Sequence, residues 1–381
     1  MIGGRVAMWL DRSILRQLGT GRRTVIVTGT NGKSTTTKMV SVALATLGSV
    51  STNAGGANMD AGLVTALAGT RSAELAALEV DEMHVPHIAA ALDPTVIVLL
   101  NLSRDQLDRI GETHRIEQAL RLSLARHPKA LIVANCDDVL ITSVAYDCPN
   151  VLWIAAGGDW ANDSVACPRS SGMIIRESGH WHSTGADFKR PSPEWWFDSS
   201  TLFGPAGLSV PMLLSLPGAV NRGNAAQAVV AAIALGADLV AATTAVAQVN
   251  EVAGRYQTVR IGDHTARILL AKNPVGWLHA LSMVNKTAEG LVIAVNGRTP
   301  DGLDLSWLWD VNFEHLENVP VVVTGERGAD LMVRLAYAGV PYQSACGIIE
   351  AVLSCPKGHV EVIVNYSAFM QLKKTLRRMH G

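Results

Sequence analysis

The sequence of 381 residues lacks several features that mark other classes of protein. Its 32 Lys and Arg nearly balance its 33 Asp and Glu, and a net charge of −1 gives no electrostatic reason to expect nucleic acid. It has no Lys/Arg run of the kind that anchors a protein to a membrane surface. The longest apolar region, residues 225–249, contains Asp238 and polar breaks, which is typical of packed helices and not of a membrane span.

The sequence is also poor in cysteine and shows no secretory signal. Five cysteines, an odd number spread along the chain, favour a reducing cytoplasm over a disulfide framework. The first sixteen residues contain Asp11 and three arginines, with no apolar segment followed by a cleavage site. We therefore expect a cytoplasmic protein, long enough for two or three domains with their own cores.

The most informative segment is VIVTGTNGKSTTTKMV, residues 25–40. An apolar run breaks at Gly29 and a helix-compatible run begins after Gly32, which is the layout of a phosphate-binding loop. Lys33 can reach the terminal phosphates and the Ser34 hydroxyl can bind magnesium. A chance Gly/Thr turn before a lysine would leave the agreement of strand, turn, Lys-Ser pair and helix unexplained. The predicted ATP phosphate site comprises Gly29, Thr30, Asn31, Gly32, Lys33, Ser34 and Thr35.

Three further apolar runs, residues 75–80, 95–102 and 130–135, alternate with helical segments. This alternation predicts an α/β fold with a parallel sheet covered on both faces, whose ligands bind at the carboxyl ends of the strands. Each run ends in polar residues. Any one of them could simply be solvated, but together they could hold magnesium beside ATP. These residues are Glu79, Asp81, Glu82, Asn101, Asp105, Asp137 and Asp138.

Composition also indicates the domain boundaries. Residues 159–200 are rich in Ser, Pro, Gly and Trp, and we expect them to form a small insertion outside the sheet. Four strand-helix repeats after residue 255 predict a second, smaller, Rossmann-like α/β domain. The predicted organisation is an N-terminal segment 1–22, an ATP-binding domain 23–254 and a C-terminal domain 255–381.

These motifs resemble the Mur ligase family, ATP-dependent enzymes that join an amine to a carboxylate in peptidoglycan assembly. The matching segments are GTNGKS, LEVDE, NLSRDQLDRIGE, LPGAVNRGNAAQA and Gly254-Arg255. In the C-terminal third, LAKNPVGW and DGLDLSWLWDVNFE are similar to the MurT subfamily, the ligase subunits of lipid II isoglutaminyl synthase. The resemblance spans nearly the whole chain.

The resemblance implies amidation of the D-glutamate α-carboxylate of lipid II through an acyl phosphate, with ATP and magnesium as cofactors, at the inner face of the cell membrane. Ser34 and Glu79 match the positions that bind magnesium. Asn224 matches an asparagine that contacts adenine, and Arg255 an arginine that reaches the nucleotide.

The sequence departs from the family pattern at two metal sites. Gln106 replaces the histidine that binds a second magnesium, and no lysine between Lys38 and Lys129 can serve as the carbamylated lysine of ordinary members, so we expect one firmly held magnesium. Many MurT proteins have a zinc ribbon here, with four cysteines in two CxxC pairs. The corresponding positions in this sequence are Cys167, Ser170, Ser183 and Ala186, so one of the four thiolates remains. We therefore expect no zinc there.

The resemblance also implies a separate glutaminase partner of the GatD type. Cys136, Cys148, Cys346 and Cys355 lie in no nucleophile-elbow context that would provide a glutaminase within this chain. In MurT proteins an aspartate completes the catalytic site of the partner. Asp304 and Asp310 both fit that role, and Asp304 is favoured because it follows the predicted strand GLVIAVN.

Two other functions compete with this interpretation. A stand-alone Mur-type or polyglutamate-type ligase would add an amino acid directly and need no glutaminase. A nucleotide-gated scaffold would bind ATP without catalysing a reaction. The presence of Lys33, Ser34 and Glu79 argues against such a scaffold.

Overall fold

A computed structural model describes residues 2–53, 57–104, 112–158, 161–252, 256–316 and 319–380. These residues divide into two compact units, the first ending at Asn250 and the second formed chiefly by the residues after it. Within the described ranges, no helix is both long enough and apolar enough to cross a membrane.

The first unit is built on a sheet of nine strands among the described residues. The strands of this unit are β1 (Arg23–Thr28), β2 (Val50–Thr52), β3 (Leu75–Glu79), β4 (Val96–Leu99), β5 (Leu131–Asn135), β6 (Val151–Ala155), β7 (Ile174–Glu177), β8 (His180–Ser183), β9 (Trp195–Asp198), β10 (Thr201–Phe203) and β11 (Ser209–Pro211). Strands β7 and β8 form a separate hairpin, and the other nine form the sheet. The order across the sheet is β11-β10-β9-β6-β5-β4-β1-β3-β2. Across the sheet, neighbouring strands are parallel from the β2 edge as far as β9. At the other edge, the β9–β10 and β10–β11 pairs are antiparallel.

Helices cover both faces of this sheet, as its continuous apolar strands require. They are α1 (Ile2–Leu10), α2 (Ile14–Gly19), α3 (Lys33–Leu44), α4 (Asp60–Gly69), α5 (Val85–Leu92), α6 (Glu112–Leu124), α7 (Val139–Ala145), α8 (Ala219–Ala234) and α9 (Leu239–Ala247). A core of Ile26, Leu78 and Ile97 packs against α4 to α7 on one face. Helices α3 and α8 pack against β1, β3, β4 and β5, where Val25 and Val27 are buried on the opposite face. The N-terminal helices α1 and α2 pack on α4.

The insertion differs from the expectation at its C-terminal end. Strands β7 and β8 form the separate hairpin, and its small core contains Cys167, Trp181 and Phe188. Residues 195–198, expected outside the sheet, instead form β9, which pairs with β6 in the register Ile154↔Trp195. The reason is that the Trp195 ring is buried over Gly204, where it leaves no room for a side chain.

The second unit is a smaller α/β domain, as predicted, with a sheet of six strands among the described residues. Its strands are β12 (Tyr256–Ile261), β13 (His264–Leu270), β14 (Gly290–Ala294), β15 (Val321–Thr324), β16 (Tyr342–Ser344) and β17 (His359–Val364). The order is β12-β13-β17-β14-β15-β16, and only the β12–β13 pair is antiparallel. Its helices are α10 (Pro274–Ser282), α11 (Gly328–Tyr337), α12 (Ile348–Ser354) and α13 (Tyr366–His380).

Candidate functional site

The loop between β1 and α3 has the backbone conformation of a phosphate-binding loop. Gly29 and Gly32 have φ values of +135° and +88°, which favour glycine. A Cβ on Gly29 would lie 2.9 Å from the Asn101 carbonyl oxygen, and one on Gly32 would lie 2.9 Å from Asn224 Oδ1. Both glycines are therefore required by conformation and by close approach. The first turn of α3 directs its free N–H groups toward the loop, where an anion can bind.

The residues that follow β4 hold this loop in place. The Thr30 N–H donates to the Asn101 carbonyl oxygen at 2.8 Å, and the Asn31 N–H donates to Asn101 Oδ1 at 2.9 Å. Asn101 Nδ2 donates in return to the Asn31 carbonyl oxygen at 2.9 Å. The Ser103 N–H donates to Thr30 Oγ1 at 3.0 Å. These hydrogen bonds together hold the loop in its shape.

Lys33 lies at the centre of the site and is buried together with Glu82. Lys33 Nζ donates to Glu82 Oε2 at 2.9 Å and to the Gly29 carbonyl oxygen at 2.6 Å. Burial opposes charge on both groups, but their mutual attraction outweighs it, so the pKa of Lys33 is raised and that of Glu82 is lowered. Both groups are therefore charged at neutral pH, and Lys33 is a fixed cation beside the phosphate loop.

Glu79 ends β3 beside the loop, in register with Val27. Asn53 fixes its backbone, because Asn53 Oδ1 accepts the Glu79 N–H and Asn53 Nδ2 donates to the Glu79 carbonyl oxygen, both at 2.8 Å. No described group donates a hydrogen bond to the buried Glu79 carboxylate.

The half-buried Ser34 hydroxyl and the buried Glu79 carboxylate are oxygen donors of the type that Mg²⁺ prefers, so the residues present fit a magnesium ion.

Asn224 reaches the same site from α8. It is buried beside Gly32, and its Nδ2 donates to Asn221 Oδ1 at 3.4 Å. Gln227, one turn further along α8, donates from Nε2 to the Leu99 carbonyl oxygen at 2.8 Å and so ties the helix to β4. The structure therefore brings Asn224 to the phosphate loop. Its contact with adenine stays a prediction, and Arg255 and Gln106 lie outside the described residues.

The two candidate aspartates lie in the second unit, in a segment of two 3₁₀-helices (Thr299–Asp301 and Ser306–Asp310). Both Asp304 and Asp310 are exposed. An Asp304 carboxylate oxygen accepts the Ser306 N–H at 2.8 Å, which lowers the pKa of Asp304. Asp310 accepts no hydrogen bond from the part of the chain that the structure describes. The role of Asp304 in the site of a partner stays a prediction.

Two of the four positions that correspond to zinc-ribbon cysteines, Ser170 and Ser183, carry hydroxyl groups in place of thiolates. The Oγ atoms of Ser170 and Ser183 lie 3.3 Å apart, beside the buried Cys167. Burial opposes the thiolate, but these hydroxyls and nearby backbone N–H groups together lower the pKa of Cys167. One sulfur and two hydroxyls do not form the soft anionic ligand set of a structural zinc.

Glu82 and Asn101, which the sequence groups with the possible magnesium ligands, instead position Lys33 and the phosphate loop, and the sequence prediction gives no role to Ser103 and Asn53. Glu82, Asn101, Ser103 and Asn53 hold Lys33, the loop and Glu79 in place. Each follows a parallel strand on its carboxyl side. Glu82, Asn101 and Ser103 lie at or just after the ends of predicted strands, which is the signal that the sequence offers, whereas Asn53 follows β2, which no apolar run predicts.

Replacing Gly29 with alanine should abolish ATP binding. The new Cβ would approach the Asn101 backbone in a conformation unfavourable to alanine, at an expected cost of about 1–3 kcal/mol in unfolding free energy. Calorimetric titration with ATP and urea unfolding would measure both effects. Gly69→Ala is the matched control, because a Cβ there meets no atom within 4 Å. Full ATP affinity in Gly29→Ala would show that the loop does not bind phosphate as described.

Comparison with known families gives two matches along the chain. Residues 27–232 match the Mur ligase middle domain, and residues 270–369 match the MurT ligase C-terminal domain. Among curated relatives, the lipid II isoglutaminyl synthase (glutamine-hydrolyzing) subunit MurT of Streptococcus pneumoniae is 28% identical, over 98% of this chain and 91% of that protein. The same subunit of Staphylococcus aureus strain COL is 27% identical, over 98% of this chain and 92% of that protein.

Solved structures show the same fold. A pseudomurein peptide ligase type C from Methanothermus fervidus superimposes with a TM-score of 0.70 at 19% identity, covering 94% of this chain and 79% of that one. MurF from Acinetobacter baumannii gives 0.72 at 18% identity, covering 98% and 80%. The predicted fold class, a Mur-ligase-type α/β domain followed by a second α/β domain, is confirmed.

Proposed function

This chain belongs to the Mur ligase family, and we propose that it amidates the D-glutamate α-carboxylate in the lipid II stem peptide. Family membership makes it a ligase, with the general dependence of that family on ATP and Mg²⁺. The amidation proposal rests on the match of the C-terminal residues to the MurT ligase C-terminal domain. The same chain has the phosphate loop, Lys33 and Glu79 that a ligase reaction with ATP needs.

The chemistry requires activation because a carboxylate is a poor electrophile. In the first step a carboxylate oxygen attacks the γ-phosphorus of ATP and the bond to the bridging oxygen of ADP breaks, which gives an acyl phosphate and ADP. In the second step ammonia attacks the carbonyl carbon, the carbon–oxygen bond to phosphate breaks and a proton is released. The products are the amide and inorganic phosphate.

The residues of the first unit suit the first step. The loop N–H groups bind the phosphates, and Lys33, already held as a buried cation, offsets the charge that develops as the γ-phosphoryl group transfers. Ser34 and Glu79 would hold Mg²⁺, which supplies further charge neutralisation on the phosphates. Asn224, beside the loop, is placed to contact the nucleotide.

We propose that ammonia comes from a separate glutaminase subunit of the GatD type. Burial raises the pKa of Cys136 to about 12 and that of Cys148 to about 11, so neither is a thiolate nucleophile at neutral pH. Burial also raises the pKa of Cys355. The names of the two MurT relatives describe a subunit of a glutamine-hydrolysing enzyme, which supports a partner. Since lipid II is a membrane lipid, we place the reaction at the inner face of the cell membrane.

Release of ADP with different amines distinguishes this function from a stand-alone ligase. With lipid II, ATP and Mg²⁺, we expect ammonium to support ADP release and free amino acids not to. Lipid II must be required, since its carboxylate accepts the phosphoryl group. ADP release driven by an amino acid, with a matching gain in the mass of lipid II, would contradict the proposal and identify an amino-acid-adding ligase.

A further inference from the structure

A second cluster of metal-binding side chains lies outside the phosphate site. It consists of Asp60, the first residue of α4, His84, the last residue of the 3₁₀-helix Glu82–His84, and His87 in α5. His84 Nδ1 lies 3.0 Å from Asp60 Oδ1, and His87 Nε2 lies 2.8 and 2.9 Å from the two carboxylate oxygens. One donor atom from each residue falls within 4.8 Å of the other two.

We propose that Asp60, His84 and His87 form a Zn²⁺ site. Two neutral imidazoles and one carboxylate are a ligand set that zinc binds, with a fourth position left for water. Zinc–nitrogen and zinc–oxygen bonds of about 2.0–2.2 Å place tetrahedral donors roughly 3.3 Å apart. The three distances from Asp60 to the histidine nitrogens, 2.8 to 3.0 Å, are slightly shorter than that value, and all three donor atoms lie within 4.8 Å of one another, so small side-chain movements would admit the ion.

The local backbone already sets the two rings for such an ion. His84 and His87 are three residues apart on consecutive helical turns and therefore face the same side. Asp60 contacts both rings at once and holds them toward a common point, which lowers the ordering cost of binding. The side chains of Asp60 and His84 are 26% and 29% exposed and that of His87 is 50% exposed, so an ion can enter from solvent.

The place of the cluster in the fold indicates what zinc would do. His84 follows Glu82 by two residues, and Glu82 is the partner of Lys33 in the phosphate site. Asp60 comes from a different element, the start of α4. A bound zinc would therefore link the start of α4 to the segment that positions Glu82. This site is separate from Ser34 and Glu79, which would hold the magnesium of the ligase reaction.

Zinc binding to the full-length, metal-free protein tests the proposal without any activity assay. We expect calorimetric titration with ZnCl₂ to show one site per chain, and Co²⁺ in its place to give the visible absorption of a tetrahedral complex. His87→Ala and Asp60→Asn should each weaken binding at least about tenfold. The matched control is His180→Ala/His182→Ala, which removes two exposed histidines from β8 and should bind zinc as the wild type does.

Two results would overturn the proposal. One is the absence of saturable zinc binding, which would leave the cluster as an ion pair only. The other is equal zinc affinity in the wild type, His87→Ala and Asp60→Asn, which would place the metal elsewhere. Circular dichroism melting of each variant checks that it is folded, and His84→Gln, a milder change, provides a third ligand variant.

Discussion

Lys33→Met should abolish ATP turnover and also destabilise the protein, two effects with different causes. Turnover should fall by at least about 10²–10³-fold, because the charge on the transferring phosphoryl group loses the buried cation that lies beside the phosphate loop. The unfolding free energy should fall by about 3–5 kcal/mol, because Glu82 is left charged and buried without its partner. Urea unfolding and ADP release measure the two effects separately.

The double variant Lys33→Met/Glu82→Gln separates these causes. It no longer buries an unpaired charge, so most of the stability should return while turnover stays absent. The pair stabilises the fold above the ordinary pKa of glutamate and below that of lysine. Since the pKa of Glu82 is lowered in the folded state, this contribution is lost in acid as Glu82 protonates. Turnover restored in the double variant would contradict the role assigned to Lys33.

Asp304→Asn should remove glutamine-driven amidation in the complex with the glutaminase and leave ammonium-driven amidation intact. If this carboxylate completes the Cys-His pair of the partner, its loss should reduce glutamine use by up to about 10⁴-fold, as for the aspartate of a catalytic triad. Asp304 is exposed and its lowered pKa keeps it ionised at neutral pH. The measurement is the ratio of the glutamine-driven to the ammonium-driven rate.

Asp310→Asn is the matched control, since Asp310 is also exposed and lies in the same segment. We expect this variant to keep the ratio of the wild type. Loss of glutamine use in Asp310→Asn alone would transfer the role to that residue. Unchanged glutamine use in both variants would show that neither carboxylate serves the partner.

Much of the fold could be predicted because its signals are local. The runs at residues 75–80, 95–102 and 130–135 became β3, β4 and β5, since continuous apolar runs between helical segments are typical of parallel strands. The turn from β1 into α3 followed from the spacing of Gly29 and Gly32, whose backbone conformations the glycines permit.

The remaining features depend on contacts between distant parts of the chain. Glu82 meets Lys33 from 49 residues away, and Asn101 meets Asn31 from 70 residues away. No local pattern distinguishes these residues from solvated ones at a strand end. The same holds for Asp60 with its two histidines and for Trp195, whose burial over Gly204 draws β9 into the main sheet.

Mass spectrometry of lipid II after reaction tests the central claim most directly. Lipid II would be incubated with ATP, Mg²⁺ and glutamine labelled with ¹⁵N in its side-chain amide, with and without the glutaminase subunit. We predict that the D-glutamate α-carboxyl gains the labelled amide, with the mass change for replacement of hydroxyl by an amino group, only when both subunits are present. Unchanged lipid II in the complete reaction, or addition of a whole amino acid, would contradict the account.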